Sequence, residues 1–251
     1  MNRQAQAAVL FLLGASLLHA GTTDLYLRYV KAGLQPLLLA SGAVLIATAL
    51  ATAWYEWRRS RTLREQQRQE QEQKDQEREQ HQHPEPRVSW LLLLPLLALI
   101  LVAPPALGSY SANRTGTALQ EPVAYPALPS TGTLRLGVAD YAGRAVYDRG
   151  RGLTGRRIAV TGFVALDHDG TPYLVRMALN CCAADAQPVK VGLAGRIPPV
   201  LQPDTWLEVT GTFTPRVTRD PVNDGPIPWI EVTRAEPVPA PRDPYDETWN
   251  N

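Results

Sequence analysis

Two adjacent cysteines followed closely by an acid are the residues of this chain best suited to chemistry. Cys181, Cys182 and Asp185 lie together in the segment NCCAAD, and the chain has no other cysteine. Thiolates and carboxylates are common metal ligands, and thiolates favour zinc and other soft ions. A closed zinc site needs about four ligands, and His168 is the only nearby histidine. The pattern therefore predicts an open or shared site for zinc or another soft metal ion.

The cysteine pair also admits two other interpretations. Adjacent side chains point in different directions, so both sulfur atoms reach one ion only through an unusual local turn. Outside the cell, Cys181 and Cys182 could form a vicinal disulfide, which is strained relative to ordinary disulfide geometry and easily reduced. Free cysteines are also often buried as small apolar side chains. The residues alone leave the metal, redox and packing interpretations open.

Few other residues suggest chemistry. His19 lies near the end of an apolar segment, where an ionisable group is costly and commonly functional. His81 and His83 lie in a polar tract rich in Gln, Glu and Arg, where weak metal contact is an alternative to simple solvation. The sequence contains no nucleophile motif, phosphate-binding loop or HExxH motif. We therefore predict that the protein is not an enzyme.

The cysteines follow a segment rich in β-forming residues, and further segments of this kind surround them. Gly162 and Gly211 lie inside two of these segments in the same V-T-G context, and a glycine within a strand often marks a bulge or a barrel corner. Five short strands with two such corners predict an all-β domain, a small closed barrel of the OB type, over residues 133–236. The predicted strands are residues 158–166, 172–178, 189–193, 206–214 and 228–234.

The segments that flank the predicted barrel are rich in proline. Residues 109–132 predict a linker, and residues 237–251 predict an extended tail. Basic and acidic residues nearly balance from Ser109 onward. Because the domain lacks a basic groove with stacking aromatic residues, we expect no nucleic-acid partner.

The N-terminal part of the chain is strongly apolar and predicts a membrane domain over residues 1–108. Ala43, Ala47 and Ala51 recur at every fourth position, which would give one helix a face of small residues that another helix can approach closely. Three segments have the length and composition of transmembrane helices. They lie at about residues 5–21, 34–55 and 88–108.

A cluster of arginines directly after the second predicted span sets the expected orientation. Cytoplasmic loops are enriched in Lys and Arg, so we expect the charged loop 56–87 in the cytoplasm. The N-terminus is then cytoplasmic and the β-domain extracytoplasmic. We therefore expect a multi-pass protein of the cell membrane whose spans contact lipid. The arginines are Arg58, Arg59, Arg61 and Arg64.

Several stretches together resemble the YcgQ-like family of uncharacterised bacterial membrane proteins. They include LLHAGTTDLYLRYVKAGLQPLLLASGAVLI, RMALNCCAADAQPVKV, DTWLEVTGTF and the closing PRDPYDE. The resemblance covers nearly the whole chain, and it implies an accessory, non-channel subunit paired with an ArsP-type predicted permease. It carries over Cys181, Cys182 and Asp185 as a motif, with Arg176 as a supporting residue. Members often have a His-rich loop, which is reduced here to two histidines in the polar tract.

These observations give two functional hypotheses. The first is a non-enzymatic accessory subunit of a two-component membrane permease system for metal ions or metalloid compounds, whose outer β-domain presents the Cys-Cys-x-x-Asp site. The alternative is an extracytoplasmic metal- or redox-sensing and binding module that acts without transport.

Overall fold

The structure, a computed structural model, describes residues 3–71 and 105–246. It divides into a helical unit and a β-rich unit. The β-rich unit comprises the chain from Pro105 onward together with Asp24–Ala32, which we call the connector because it joins the first two helices. Most of the third predicted span, residues 88–108, lies outside the described residues, as do both histidines of the polar tract.

Two helices make up the described part of the helical unit. Helix α1 spans Arg3–Thr22 and helix α2 spans Gln35–Gln71. The stretch Ala5–Thr22 has a mean hydropathy of 1.4, and Ala32–Arg59 has a mean hydropathy of 1.9. Because a helix rises about 1.5 Å per residue, both stretches are long and apolar enough to cross a membrane. They correspond to the first two predicted spans, and α2 then continues into the polar tract.

Helices α1 and α2 pack against each other where each carries a glycine. A Cβ atom built on Gly14 would lie 2.7 Å from Cγ1 of Ile46 and 2.8 Å from the carbonyl oxygen of Gly42. A larger side chain at this crossing would push the two backbones apart, as at the small-residue contacts between transmembrane helices. The alanine face predicted on α2 does not form this contact and is exposed instead.

The β-rich unit is built on a closed ring of five strands. Strands β2, β5, β6, β4 and β3 follow one another in that order, and β3 pairs again with β2. Strands β4 and β6 are parallel, and the other pairs of the ring are antiparallel. Short strands β1 and β7 extend the sheet beside β2 and β3. This barrel confirms the predicted fold class. The strands are β1 (Leu134–Leu136), β2 (Ile158–Leu166), β3 (Pro172–Ala178), β4 (Gln187–Gly195), β5 (Trp206–Arg219), β6 (Pro226–Pro237) and β7 (Tyr245–Asp246).

A helix between β1 and β2 covers one end of the barrel. This helix, α4, spans Val138–Val146 and is preceded along the chain by the short helix α3, Ser109–Arg114. Helix α4 contacts all five strands of the ring, and Tyr141 on its buried face is fully buried and donates a hydrogen bond to the carbonyl oxygen of Trp229 at 2.6 Å. The buried face of α4 therefore completes the apolar core at this end of the barrel.

The two strand glycines allow close approach of neighbouring strands. The register of β5 against β6 shifts at Gly211, where a Cβ atom would lie 2.4 Å from the carbonyl oxygen of Glu231. The predicted irregularity at Gly211 is thus confirmed. Gly162 lies just before the point where β2 begins to pair with β3, and a Cβ atom there would lie 2.7 Å from the carbonyl oxygen of Val175.

The segment that was predicted as a linker is fastened to the barrel by two carboxylates. Ser109 donates from its amide and its hydroxyl to Asp204, at 2.6 and 2.9 Å. The Thr117 amide donates to Asp220 at 2.9 Å, and the same carboxylate forms a buried ion pair with Lys190 at 2.7 Å. These bonds fasten the chain to the barrel at two points, the first residue of α3 and a residue shortly after its end.

Candidate functional site

The loop between β3 and β4 brings the three predicted ligands together. A short 3-10 turn, Ala183–Asp185, lies in this loop. The thiol sulfur atoms of Cys181 and Cys182 and a carboxylate oxygen of Asp185 all lie within 4.8 Å of one another. We call this loop, residues 179–186, the cysteine loop. Its three donor atoms form a group that could hold a metal ion.

The carboxylate of Asp185 is the centre of the cysteine loop. Its Oδ2 atom accepts hydrogen bonds from the thiol and the amide of Cys181, both at 2.9 Å, and from the Cys182 amide at 3.4 Å. Its Oδ1 atom accepts a hydrogen bond from the Asn180 amide at 2.9 Å. A single side chain thus holds three consecutive backbone amides and one thiol.

The 3-10 turn explains how adjacent cysteines can face the same acid. Cys182 is the N-cap of the turn, and Asp185 occupies its third position. The two form a reciprocal capping box, in which the Asp185 amide meets the Cys182 side chain and the Asp185 carboxylate meets the Cys182 amide. This is the unusual local turn that two adjacent cysteines require in order to share one ligand environment.

Hydrogen bonding inside the loop sets the protonation of the two groups. The hydrogen bond to Asp185, followed by one to Cys182, raises the pKa of the Cys181 thiol to about 11. Burial raises the pKa of Asp185, but the hydrogen bonds from the Cys181 thiol and from the backbone amides outweigh it and lower the pKa below its usual range. At neutral pH the loop therefore holds a neutral Cys181 thiol beside a carboxylate, and such a thiol is a weak nucleophile.

Both cysteines are accessible in the structure, and they are not joined to each other. Cys181 is exposed and Cys182 is half-buried, and neither forms a disulfide. The interpretation of the pair as two buried apolar side chains is therefore contradicted. The metal and redox interpretations both require accessible thiols, which the loop provides.

The connector is the backbone partner of the cysteine loop. Val30 forms an antiparallel bridge with Cys182. Two backbone hydrogen bonds flank this bridge, so the loop is held on both sides of Cys182. They run from the Lys31 amide to the Cys181 carbonyl oxygen at 3.1 Å and from the Ala183 amide to the Tyr29 carbonyl oxygen at 2.7 Å.

The other predicted site residues lie elsewhere in the structure. His168 is exposed in the turn between β2 and β3 and does not belong to the donor cluster found among the described residues. Arg176, on β3, donates to the carbonyl oxygens of Asp243 and Tyr245, and its guanidinium lies 5.1 Å from the ring centre of Trp206. It thereby fixes the C-terminal segment to the barrel.

The remaining candidate, His19, is exposed on α1, three residues before the helix ends.

The connector is the part of the site that the sequence interpretation missed. Its sequence, DLYLRYVKA, combines charged residues with large apolar and aromatic ones between two long apolar segments. Asp24–Arg28 forms a short 3-10 helix in which Tyr26 and Leu27 are buried. The large apolar and aromatic residues of this short segment were the available signal, although they do not reveal which loop the connector meets.

The comparisons with known proteins find a similarity in the β-rich unit. No curated protein and no solved structure matches the chain. Residues 130–246 match the family model described as the DUF1980 C-terminal domain. The matched range contains the whole barrel ring, the cysteine loop and β7. This part of the chain is therefore similar to the DUF1980 C-terminal domain, an uncharacterised family, and the similarity fits the YcgQ-like resemblance.

Proposed function

We propose that this protein is a non-enzymatic accessory subunit of a two-component membrane permease system, in which the barrel presents a soft-metal or metalloid site outside the cytoplasm. The observation that carries the proposal is the cluster of two thiols and one carboxylate on an exposed loop, with all donor atoms within 4.8 Å of one another.

The donor set suits transfer better than permanent storage. Two sulfur atoms and one carboxylate oxygen favour zinc and softer ions over magnesium or calcium. Three protein ligands leave about one coordination position open in a tetrahedral site, and the exposure of Cys181 leaves that side accessible to cargo or to a partner's ligand. An ion that binds must displace the thiol protons, so its affinity falls as the pH is lowered.

The membrane part of the proposal combines the helices with the resemblance. Two described helices are apolar and long enough to span a membrane. Arg58, Arg59 and Arg61 follow the apolar part of α2, which favours a cytoplasmic end for this helix and an extracytoplasmic barrel. The proposed partner is an ArsP-type permease, which is the partner that the YcgQ-like resemblance implies.

Zinc binding by the full chain tests the site. We expect purified protein in mild detergent, dialysed against a buffer of fixed Zn²⁺ concentration, to bind about one zinc ion per chain above the buffer level, measured by elemental mass spectrometry. Cys181→Ser and Cys182→Ser should lose it, because each removes a sulfur ligand. His168→Ala is the matched control, since it removes a possible ligand of the same domain that lies outside the cluster. Equal zinc content in all four proteins, or none in any, would contradict the metal site.

Copurification tests the partnership. We expect the tagged full chain, extracted in mild detergent, to bring down a permease in a stable ratio. The Cys181→Ser variant should bring down the same amount, because the spans and not the thiols dock the permease in this proposal. Absence of any permease from the wild-type preparation would contradict the accessory-subunit assignment. It would not contradict the proposed metal site.

The contact between the cysteine loop and the connector favours a second candidate function, which is sensing without transport. A change at Cys182 would alter the bridge to Val30, and the connector continues directly into both apolar helices. In that case a growth phenotype of Cys181→Ser should persist in a strain without the permease. A phenotype that requires the permease would exclude this alternative.

A further inference from the structure

The connector is a fixed segment of the β-rich unit. Tyr26 and Leu27 are buried, with 7% and 4% of their surface exposed. The hydroxyl of Tyr245 donates to the carbonyl oxygen of Arg28 at 2.8 Å, and Tyr245 is itself buried in the barrel's second core cluster. The connector is therefore anchored independently of its bonds to the cysteine loop.

An anchored connector can act as a template for the loop that it contacts. The amide of Ala183 is the first amide of the 3-10 turn, and it donates to the carbonyl oxygen of Tyr29. On the other side of Cys182, the carbonyl oxygen of Cys181 accepts from Lys31. The bridge thus restrains the peptide groups on either side of Cys182, and these groups decide where both sulfur atoms point.

We propose that the connector is a positioning segment of the thiol site, and that docking of the connector and binding of a soft metal ion at Cys181 and Cys182 strengthen each other. The ligand in this inference rests on the proposed function, whereas the contacts that transmit the effect do not. An ion held by both sulfur atoms fixes the backbone of the two cysteines and so favours the bridged geometry. By linkage, the factor by which docking improves binding equals the factor by which binding improves docking.

The coupling gives the site a route to the apolar helices. Helix α1 ends at Thr22, two residues before the connector, and α2 begins at Gln35, three residues after it. A change in the connector therefore occurs within three residues of both helix ends along the chain.

A matched pair of substitutions at Lys31 separates the backbone bond from the side chain. Lys31→Pro removes the amide that donates to Cys181, and Lys31→Ala keeps the amide but removes the charge. We measure the affinity of the full chain for Zn²⁺ by competition with a chelating dye, and amide hydrogen exchange at Ala183 with and without Zn²⁺. Lys31→Pro should weaken zinc binding about tenfold, the effect of roughly one lost hydrogen bond. It should also speed exchange at Ala183, while Lys31→Ala should match the wild type in both measurements.

The outcomes distinguish this inference from the proposed function. Zinc should slow exchange at Ala183 and Lys31 in the wild type, and a tenfold loss in Lys31→Pro supports the coupling. Equal zinc affinity in wild type and Lys31→Pro overturns the coupling and leaves the metal site standing. If the wild type binds no zinc, the proposed function and the coupling both fail.

A second variant keeps the test decisive if Lys31→Pro does not fold. Tyr245→Phe removes the hydroxyl that holds the Arg28 carbonyl oxygen and keeps the buried ring. It loosens the connector at a contact that does not involve the cysteine loop. We expect weaker zinc binding and faster exchange at Ala183 in this variant, and unchanged values in both measurements would overturn the coupling.

Discussion

The carboxylate of Asp185 gives the cysteine loop its shape and sets the chemical state of Cys181. Its hydrogen bonds to three backbone amides fold the chain just before the 3-10 turn back onto the turn, and the bond to the Cys182 amide is one half of the capping box. The bond to the Cys181 thiol then keeps that proton in place. The same residue therefore shapes the loop and keeps its exposed thiol protonated and weakly reactive.

Asp185→Asn should make Cys181 more reactive. The thiolate is the form that reacts with alkylating agents, so a pKa of about 11 leaves very little of it at pH values near 8. Loss of the carboxylate should lower the pKa of Cys181 toward about 8.5 and speed alkylation near pH 8 on the order of 10- to 100-fold. The rate of iodoacetamide modification against pH, in a Cys182→Ser background, measures this shift.

Asp169→Asn is the control for Asp185→Asn, because it removes an exposed carboxylate in the turn between β2 and β3. It should leave the alkylation profile of Cys181 unchanged. Identical profiles for Asp185→Asn and wild type would show that the carboxylate does not hold the thiol proton.

Removing one partner of the buried ion pair of Lys190 and Asp220 should strongly destabilise the protein. Both side chains are almost completely buried, and Asp220 also accepts the amide of Thr117. Lys190→Met leaves the carboxylate charged and unpaired, which should lower the free energy of unfolding by about 3–5 kcal/mol. Denaturant unfolding measures it, with Arg151→Met at the exposed Arg151–Asp148 pair as a control that should change it by less than about 1 kcal/mol.

At the scale of elements, the strand glycines decide whether the ring can close. A Cβ atom on Gly211 or Gly162 would collide with a backbone carbonyl oxygen of the neighbouring strand, which cannot move away as a flexible side chain can. Gly211→Ala and Gly162→Ala should each destabilise the barrel by about 1–3 kcal/mol, measured by denaturant unfolding. Thr212→Ala, at an exposed position next to Gly211, should be nearly neutral. Wild-type stability in both glycine variants would show that the ring does not depend on these close approaches.

The sequence predicted those elements that have a local pattern. The runs of β-forming residues and the V-T-G glycines are such patterns, and the barrel was predicted from them, as the first two helices were from their apolar composition. The alanine face of α2 was also a regular pattern, but the helices pack through Gly14 and Gly42, because contact depends on which small residues face the partner and not on their spacing alone.

The residues of the candidate site were predicted from the sequence, but their geometry was not. The capping box joins residues three apart through hydrogen bonds, and the bridge of Val30 to Cys182 joins residues far apart in the chain.

At the scale of the whole molecule, the connector links the ends of two apolar helices to a barrel that lies much later in the sequence. The cysteine loop that binds the connector belongs to the barrel. We therefore expect the connector to dock only after the barrel has formed. This long-range pairing also means that the thiol site needs both parts of the chain, which distinguishes it from an ordinary loop site on an isolated barrel.

The orientation of the whole molecule can be tested with the two native cysteines, since the chain has no others. If the barrel is extracytoplasmic, a membrane-impermeant maleimide should label exposed Cys181 in intact cells at mildly alkaline pH. A Gln66→Cys variant in a Cys181→Ser/Cys182→Ser background places its thiol in the charged loop, and it should be labelled only after lysis. The comparison is informative because each protein carries its thiols on only one side of the second predicted span. The opposite pattern would place the cysteine loop in the cytoplasm, where reducing conditions favour free thiols, and would contradict the proposed delivery of cargo from outside.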